Sequence, residues 1–150
     1  AVKSGSRVVF FTQQMKGINN IHVHTGGTHP VPGGRVVFRS RHCDSSTPVR
    51  FSDSPDTELI DADSLTGPLH IRGRRAGDWF IPLGMQNRKK LKDFFIDEKV
   101  PVYRRPSVPL LCSGKNIVWV CGLRLDERFK VTGKSERILR IELLPAEKQR

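Results

Sequence analysis

The sequence predicts an α+β domain that is mainly β: packed strands with one short amphipathic helix. Three observations carry that expectation. Short β-branched and aromatic runs recur along the chain, turn residues separate them, and a single segment near the middle changes to helical spacing. The 150 residues suffice for one domain or two small ones. Hydrophobic residues at 37% and charged residues at 27% fit a folded globular chain and exclude a disordered one.

Taken in order, Arg7 to Phe11, Ile21 to His24 and Arg35 to Arg39 read as strands. Thr25-Gly26-Gly27, Pro30-Val31-Pro32-Gly33-Gly34 and Ser52-Asp53-Ser54-Pro55-Asp56 read as connections. Leu59-Ile60 and Leu69 to Arg72 are further strands, separated by Gly67-Pro68. From Arg88 to Glu98, Leu91, Phe94 and Phe95 share one helical face, with Arg88, Lys89, Lys92 and Lys99 on its flank, and Pro101 ends the helix. Val108 to Cys112 and Phe129 to Thr132 follow as strands. The apolar run Ile117 to Cys121, closed by Gly122, is expected to be buried on both faces. Ile138 to Leu144 completes the set. This order suggests residues 1–60 as a strand-rich N-terminal part of the same domain or an adjoining one, residues 61–144 as the main domain, and residues 145–150 as a fraying tail.

The formal net charge is +11, which predicts attraction to polyanions. Its distribution separates a binding surface from a solubilising one. Residues 1–71 carry net +1, residues 72–105 net +6, and residues 106–150 net +4. The densest clusters are Arg72, Arg74 and Arg75, then Arg88, Lys89, Lys90 and Lys92, then Arg104 and Arg105. Arginine grips phosphate bidentately and lysine adds point charge, so these residues form the candidate RNA-binding set.

Other chemistry finds little support. Val131-Thr132-Gly133-Lys134-Ser135 ends like a phosphate-binding loop but has Arg128 where the first glycine belongs. His22, His24, His29, His42 and Cys43 match no zinc spacing, so no metal is expected. Asp61, Asp63 and Asp78 with His70 would serve a hydrolase, but aspartate near turns is commoner as a cap. No catalytic residue is assigned, and whether the chain is an enzyme stays open. Cys112 and Cys121 lie in apolar stretches and are expected to be buried thiols in a reducing, cytoplasmic setting. No apolar run reaches the ~18 residues needed to span a bilayer.

The middle of the chain resembles the C-terminal domain of bacterial tRNA(Ile)-lysidine synthetases. The resemblance rests on Arg72-x-Arg74-Arg75-x-Gly77-Asp78, Pro82-x-Gly84 and the run Lys89 to Asp97. It continues through Pro101, Arg105, Pro109-Leu110-Leu111, Trp119-Val120-x-Gly122 and Phe129 to Thr132. Asp61-Ala62-Asp63 and Leu65 resemble the family's run-in, whereas residues 1–56 match only in being strand-like.

The resemblance implies packed β-strands with a short helix, a sandwich related to a module of phenylalanyl-tRNA synthetase β chains. It implies a tRNA-binding accessory role at the acceptor-stem end. An N-terminal catalytic domain of the same polypeptide, with a Ser-Gly-Gly-x-Asp-Ser loop, would use ATP and Mg to join lysine to the wobble cytidine. This chain lacks that loop and needs no cofactor of its own on this reading. It begins Ala1-Val2-Lys3 without methionine, so the expectation is a fragment of a synthetase; a stand-alone relative is the alternative. A basic RNA- or protein-binding module and, further off, a metal-dependent hydrolase are the competing readings. The Gly77-Asp78 pair is expected to shape and cap the turn after the arginine cluster.

Overall fold

The protein is described by a computed structural model over residues 21–23, 27–42 and 56–145. The strand read at Arg7 to Phe11, His24, Cys43 and the tail after Pro145 lie outside these residues.

Two antiparallel sheets face each other. The first takes β1 (Ile21–His22), β5 (Leu69–Arg72), β8 (Leu110–Ser113), β9 (Asn116–Val120) and β10 (Arg124–Leu125), adjacent in that order. The second has the order β2 (Thr28–Val31), β3 (Gly34–His42), β11 (Arg137–Pro145), β4 (Thr57–Asp61). In the second sheet β11 pairs with β3 from Arg137↔His42 to Pro145↔Gly34, and with β4 on its other side. Strands β2, β3 and β4, from the first half of the chain, thus share one sheet with the C-terminal β11.

The space between the sheets is filled by Val36, Phe38, Ile60, Leu139 and Ile141 from one side. Ile71, Leu111, Val118, Trp119 and Leu125 meet them from the other, with Phe129 packed among them. The opposite face of the first sheet, with Leu110, Cys112, Ile117 and Val120, packs under a helix and a small ribbon through Phe80, Leu91, Phe94 and Phe95. The first sheet is therefore covered on both faces, as the apolar run Ile117 to Cys121 led us to expect. A bulge at Leu111/Cys112 leaves one extra residue on β9. It lets the neighbours Val118 and Trp119 both join the inter-sheet core while Ile117 and Val120 face the helix. Burying each of these large side chains contributes about 1.5–3 kcal/mol.

The helix, α1, spans Leu91–Asp97 and buries Leu91, Phe94 and Phe95, the predicted face. It starts three residues later than the sequence suggested. Lys89 and Lys90 instead form β7, which pairs with β6 (Trp79–Phe80). No side chain caps α1; the Leu91 amide donates to the Asp78 carbonyl at 2.9 Å. Its end is a Schellman motif, in which Val100 N–H donates to the Phe95 carbonyl and Lys99 N–H to the Ile96 carbonyl. Lys99 therefore lies past the helix, at φ +57°, and not on its flank.

Other readings shift. Phe129 to Thr132 is not a strand: Glu127–Phe129 form a 3-10 turn capped by Asp126, and Lys130 makes a single bridge to Ile60. The cause is Asp126, whose side chain accepts from the Arg128 amide at 2.8 Å and bends the chain. Thr28–Val31, read partly as connection, is β2, so the turn shortens to Pro32-Gly33. Leu69–Arg72 is a strand as read, and Ile138 to Leu144 falls within β11.

Candidate nucleic-acid interface

The basic residues at the end of β5 are ordered by one carboxylate. Arg72 is buried, at 7% exposure. Its two terminal nitrogens donate to Asp78 Oδ2 and Oδ1, each at 2.9 Å. Asp78 Oδ2 also accepts the Arg75 amide at 2.7 Å, and the Asp78 amide donates to the Arg75 carbonyl. The loop between is pinned at both ends. Gly77 sits at φ +85°, a conformation an L side chain adopts only with strain, so glycine is required there. Burial is the largest single influence and lowers the Arg72 pKa, but the hydrogen bonds and charge of Asp78, together with Cys112, outweigh it and hold the guanidinium above its usual value. Arg72 thus leaves the candidate RNA-binding set: its donors are committed to Asp78 and to the Gly73 carbonyl. The capping role expected of Asp78 is what the geometry shows.

The loop presents Arg74 and Arg75 outward, both exposed. Facing them are Lys90 and Lys92, exposed at the start of α1. These four line a cleft of about 530 Å³ together with Ala76, Gly77, Asp78, Leu91 and Phe95. Asp78 is engaged by Arg72, and the other charged residues lining the cleft are all cations. A pinned backbone removes the cost of ordering the loop, so that only the side chains remain to be ordered on the phosphates of a nucleic acid.

The remaining candidates are placed elsewhere. Lys89 is ion-paired with Asp97. The Arg88 guanidinium stacks on Trp79, 4.1 Å from the ring centroid, and Arg128 approaches the same ring at 5.0 Å. Arg104 is exposed and Arg105 half-buried on the 3-10 turn Val102–Ser107 that follows α1. Arg105 Nε donates to the Val100 carbonyl at 3.0 Å. The structure thus gathers Arg74, Arg75, Lys90 and Lys92 into one cleft and leaves Arg88, Arg104 and Arg105 outside it.

The aspartates read as a hydrolase alternative do three separate jobs. Asp61 caps the 3-10 turn Ala62–Ser64, Asp63 pairs with Arg137 at 2.7 Å, and Asp78 holds Arg72. The Arg137 hydrogen bond, foremost, keeps the Asp63 carboxyl below its usual range. His70 lies opposite His22 across β5 and β1, and burial above all holds its imidazole below the ordinary value. Among the described residues no three His, Cys, Asp or Glu side chains converge as metal ligands. Cys112 and Cys121 are buried thiols; burial pushes Cys112 up to about 11 and Cys121 higher still.

Sequence reasoning overlooked Asp126. It is fully buried and accepts from Ile81 N–H at 2.9 Å and from Arg128 through three donors. Only an acid and a base two residues apart hinted at it.

Residues 69–143 match the family described as the TilS substrate C-terminal domain. The chain belongs to that family. It is 42% identical over 117 residues to a tRNA(Ile)-lysidine synthase of Caldanaerobacter subterraneus subsp. tengcongensis, covering 75% of this chain and 25% of the relative. It is 32% identical over 127 residues to the synthase of Clostridium acetobutylicum, covering 85% of this chain and 28% of the relative. The chain thus spans about a quarter of the length of the curated relatives it matches. The crystal structure of a TilS C-terminal domain superposes with a TM-score of 0.75 at 23% identity, over 87% of this chain and 98% of that one. An N-terminal fragment of the phenylalanyl-tRNA synthetase β-subunit from Pyrococcus horikoshii gives 0.53 at 14% identity, over 87% and 48%. The predicted fold class and the family resemblance are both borne out: the TilS C-terminal domain has this mainly β architecture. No helix among the described residues is long and apolar enough to cross a membrane.

Proposed function

We propose that this domain is the tRNA-holding part of a tRNA(Ile)-lysidine synthase. It would grip the acceptor-stem end while an N-terminal catalytic domain of the same enzyme joins lysine to the wobble cytidine. ATP and Mg serve that catalytic domain, and the work takes place in the cytoplasm on tRNA. The observation that supports this most is the cleft formed by Arg74, Arg75, Lys90 and Lys92, four exposed cations on two elements that Asp78 ties together. A-form RNA hides its base edges in a deep narrow groove, so a stem is recognised by shape and phosphate contacts, which is what such a cleft supplies. Arg88, Arg104 and Arg105 extend the basic surface beyond it.

The test is a salt titration of tRNA binding by the 150-residue chain. Phosphate contacts release counterions, so affinity should fall steeply and linearly in log–log form. Binding that is absent or insensitive to salt refutes the reading and leaves an acidic protein partner as the cleft's occupant.

A further inference from the structure

The chain contains one tyrosine, Tyr103, and it lies outside both core clusters of the described residues. Tyr103 is 69% exposed and its neighbour Val102 65%, whereas Phe80, Phe94 and Phe95 fill the core beneath α1. The backbone that presents Tyr103 is stiff. It belongs to the 3-10 turn Val102–Ser107, entered through Pro101 and containing Pro106. Arg104 N–H donates to the Pro101 carbonyl at 2.9 Å, and Ser107 Oγ–H donates to the Arg104 carbonyl at 2.7 Å. Arg105 Nε ties the turn back to Val100. An exposed ring on a fixed backbone loses little freedom on binding, because only two side-chain torsions remain to be ordered.

The charge nearest this ring along the chain is basic. Lys99, four residues before it, and Arg104, next to it in the chain, are exposed, and no acidic residue occurs between Lys99 and Asp126; Asp56 and Glu98 line the same cleft as these two cations. The two acids just before, Asp97 and Glu98, are paired with Lys89 and Arg124. The turn follows α1, whose seven residues span about 10 Å, and the other end of α1 borders the basic cleft. A strand whose phosphates lie on the cleft therefore has the ring within reach.

We propose that Tyr103 is a stacking platform for an unpaired base at the end of an RNA stem, with Arg104 and Lys99 meeting the flanking phosphates. Every base offers a π face, so such a platform is tolerant of sequence and suits a single-stranded end. The flanking cations favour this occupant over a protein surface. The proposal rests on the phosphate-gripping reading above and adds to it the unpaired end.

The experiment compares the affinities of the 150-residue chain for a blunt RNA hairpin and for the same hairpin with a short unpaired 3′ end. The parent should prefer the tailed RNA. Tyr103→Ala should lose about tenfold on the tailed RNA, the weight of one stacked base, and nothing on the blunt one. Tyr103→Phe should keep the preference, and the salt slope should be the same in all three proteins, since no phosphate contact is removed. Melting temperature should not change, which separates the effect from folding. If Tyr103→Ala binds both RNAs as the parent does, the platform is refuted while the phosphate grip stands, and the ring is left to a protein contact. Equal weakening on both RNAs also refutes it, because the ring would then serve the stem. A parent that binds neither RNA refutes the grip itself, and the platform with it.

Discussion

Asp78 accepts both terminal nitrogens of Arg72 at 2.9 Å while one of its oxygens also caps the Arg75 amide at 2.7 Å. A near-buried ion pair thus fixes the loop that presents Arg74 and Arg75. Removing one member leaves the other charged and unpaired, which costs about 3 kcal/mol or more. Arg72→Ala should therefore lower the denaturant midpoint sharply, and Arg72→Lys should restore little, because lysine cannot form the two-pronged contact. An Arg72→Ala protein that melts like the parent but loses RNA would return Arg72 to the binding set.

Phe95 is fully buried and Phe94 is 2% exposed, with Phe94 edge-on to Phe80 at 4.9 Å between ring centroids. Truncation of either to alanine should cost about 3–5 kcal/mol. The same variants, where still folded, should bind RNA with an unchanged salt slope, since neither ring carries charge. Unchanged melting with lost RNA binding would make them base platforms instead.

Glu58, half-buried on β4, is pushed up to about 7 by burial, with Arg124 opposing the shift. The folded protein holds this proton at pH values where the unfolded chain has released it. Stability therefore falls as pH rises from the usual carboxylate range to about 7. Solvent screening at a half-exposed site limits the loss to about 1 kcal/mol. Thermal melts across that window should decline for the parent and flatten for Glu58→Gln; parallel curves would contradict the assignment.

Lys99 occupies the left-handed position that ends α1, at φ +57°. A non-glycine residue there is strained by about 1 kcal/mol, part of which glycine's greater freedom in the unfolded chain takes back. Lys99→Gly should raise the unfolding free energy by roughly 0.5 kcal/mol. A clear loss on urea titration would mean that the lysine side chain stabilises the domain by contacts that outweigh the strain.

Where a segment's structure follows from its own pattern, the sequence was legible. The apolar run at Ile117 forecast a strand covered on both faces, and Leu91, Phe94 and Phe95 forecast the buried stripe of α1. What failed was set by partners distant in sequence. The start of α1 depends on the Asp78 carbonyl, and the turn at Glu127 on a buried Asp126. The clusters of Arg and Lys named the basic region, but their fates were decided by carboxylates: Asp78 removes Arg72 and Asp97 engages Lys89. Charge counting cannot distinguish a cation with an internal partner from one facing solvent.

The cleft residues should divide by such partners in their effect on RNA. Arg74, Lys90 and Lys92 are exposed and face one cleft. Each substitution by alanine should weaken tRNA binding and flatten the salt dependence by roughly 0.7 to 0.9 log units per log unit of salt, the signature of one lost phosphate contact. The loss should be alike for different stems, because phosphates carry no sequence. Folding stability should move by less than ~0.5 kcal/mol, as for most exposed charges. Lys89→Ala serves as the contrast. Its ammonium is engaged by Asp97, so its removal deletes one positive charge but frees one negative, and the affinity lost should come with a smaller change in slope. Arg105→Ala should act through the turn it ties to Val100, lowering stability as well as binding. If Arg74→Ala, Lys90→Ala and Lys92→Ala all keep the parental slope while a variant at Arg137 or Arg140, on β11, loses it, the RNA lies across the second sheet and the cleft is not the grip.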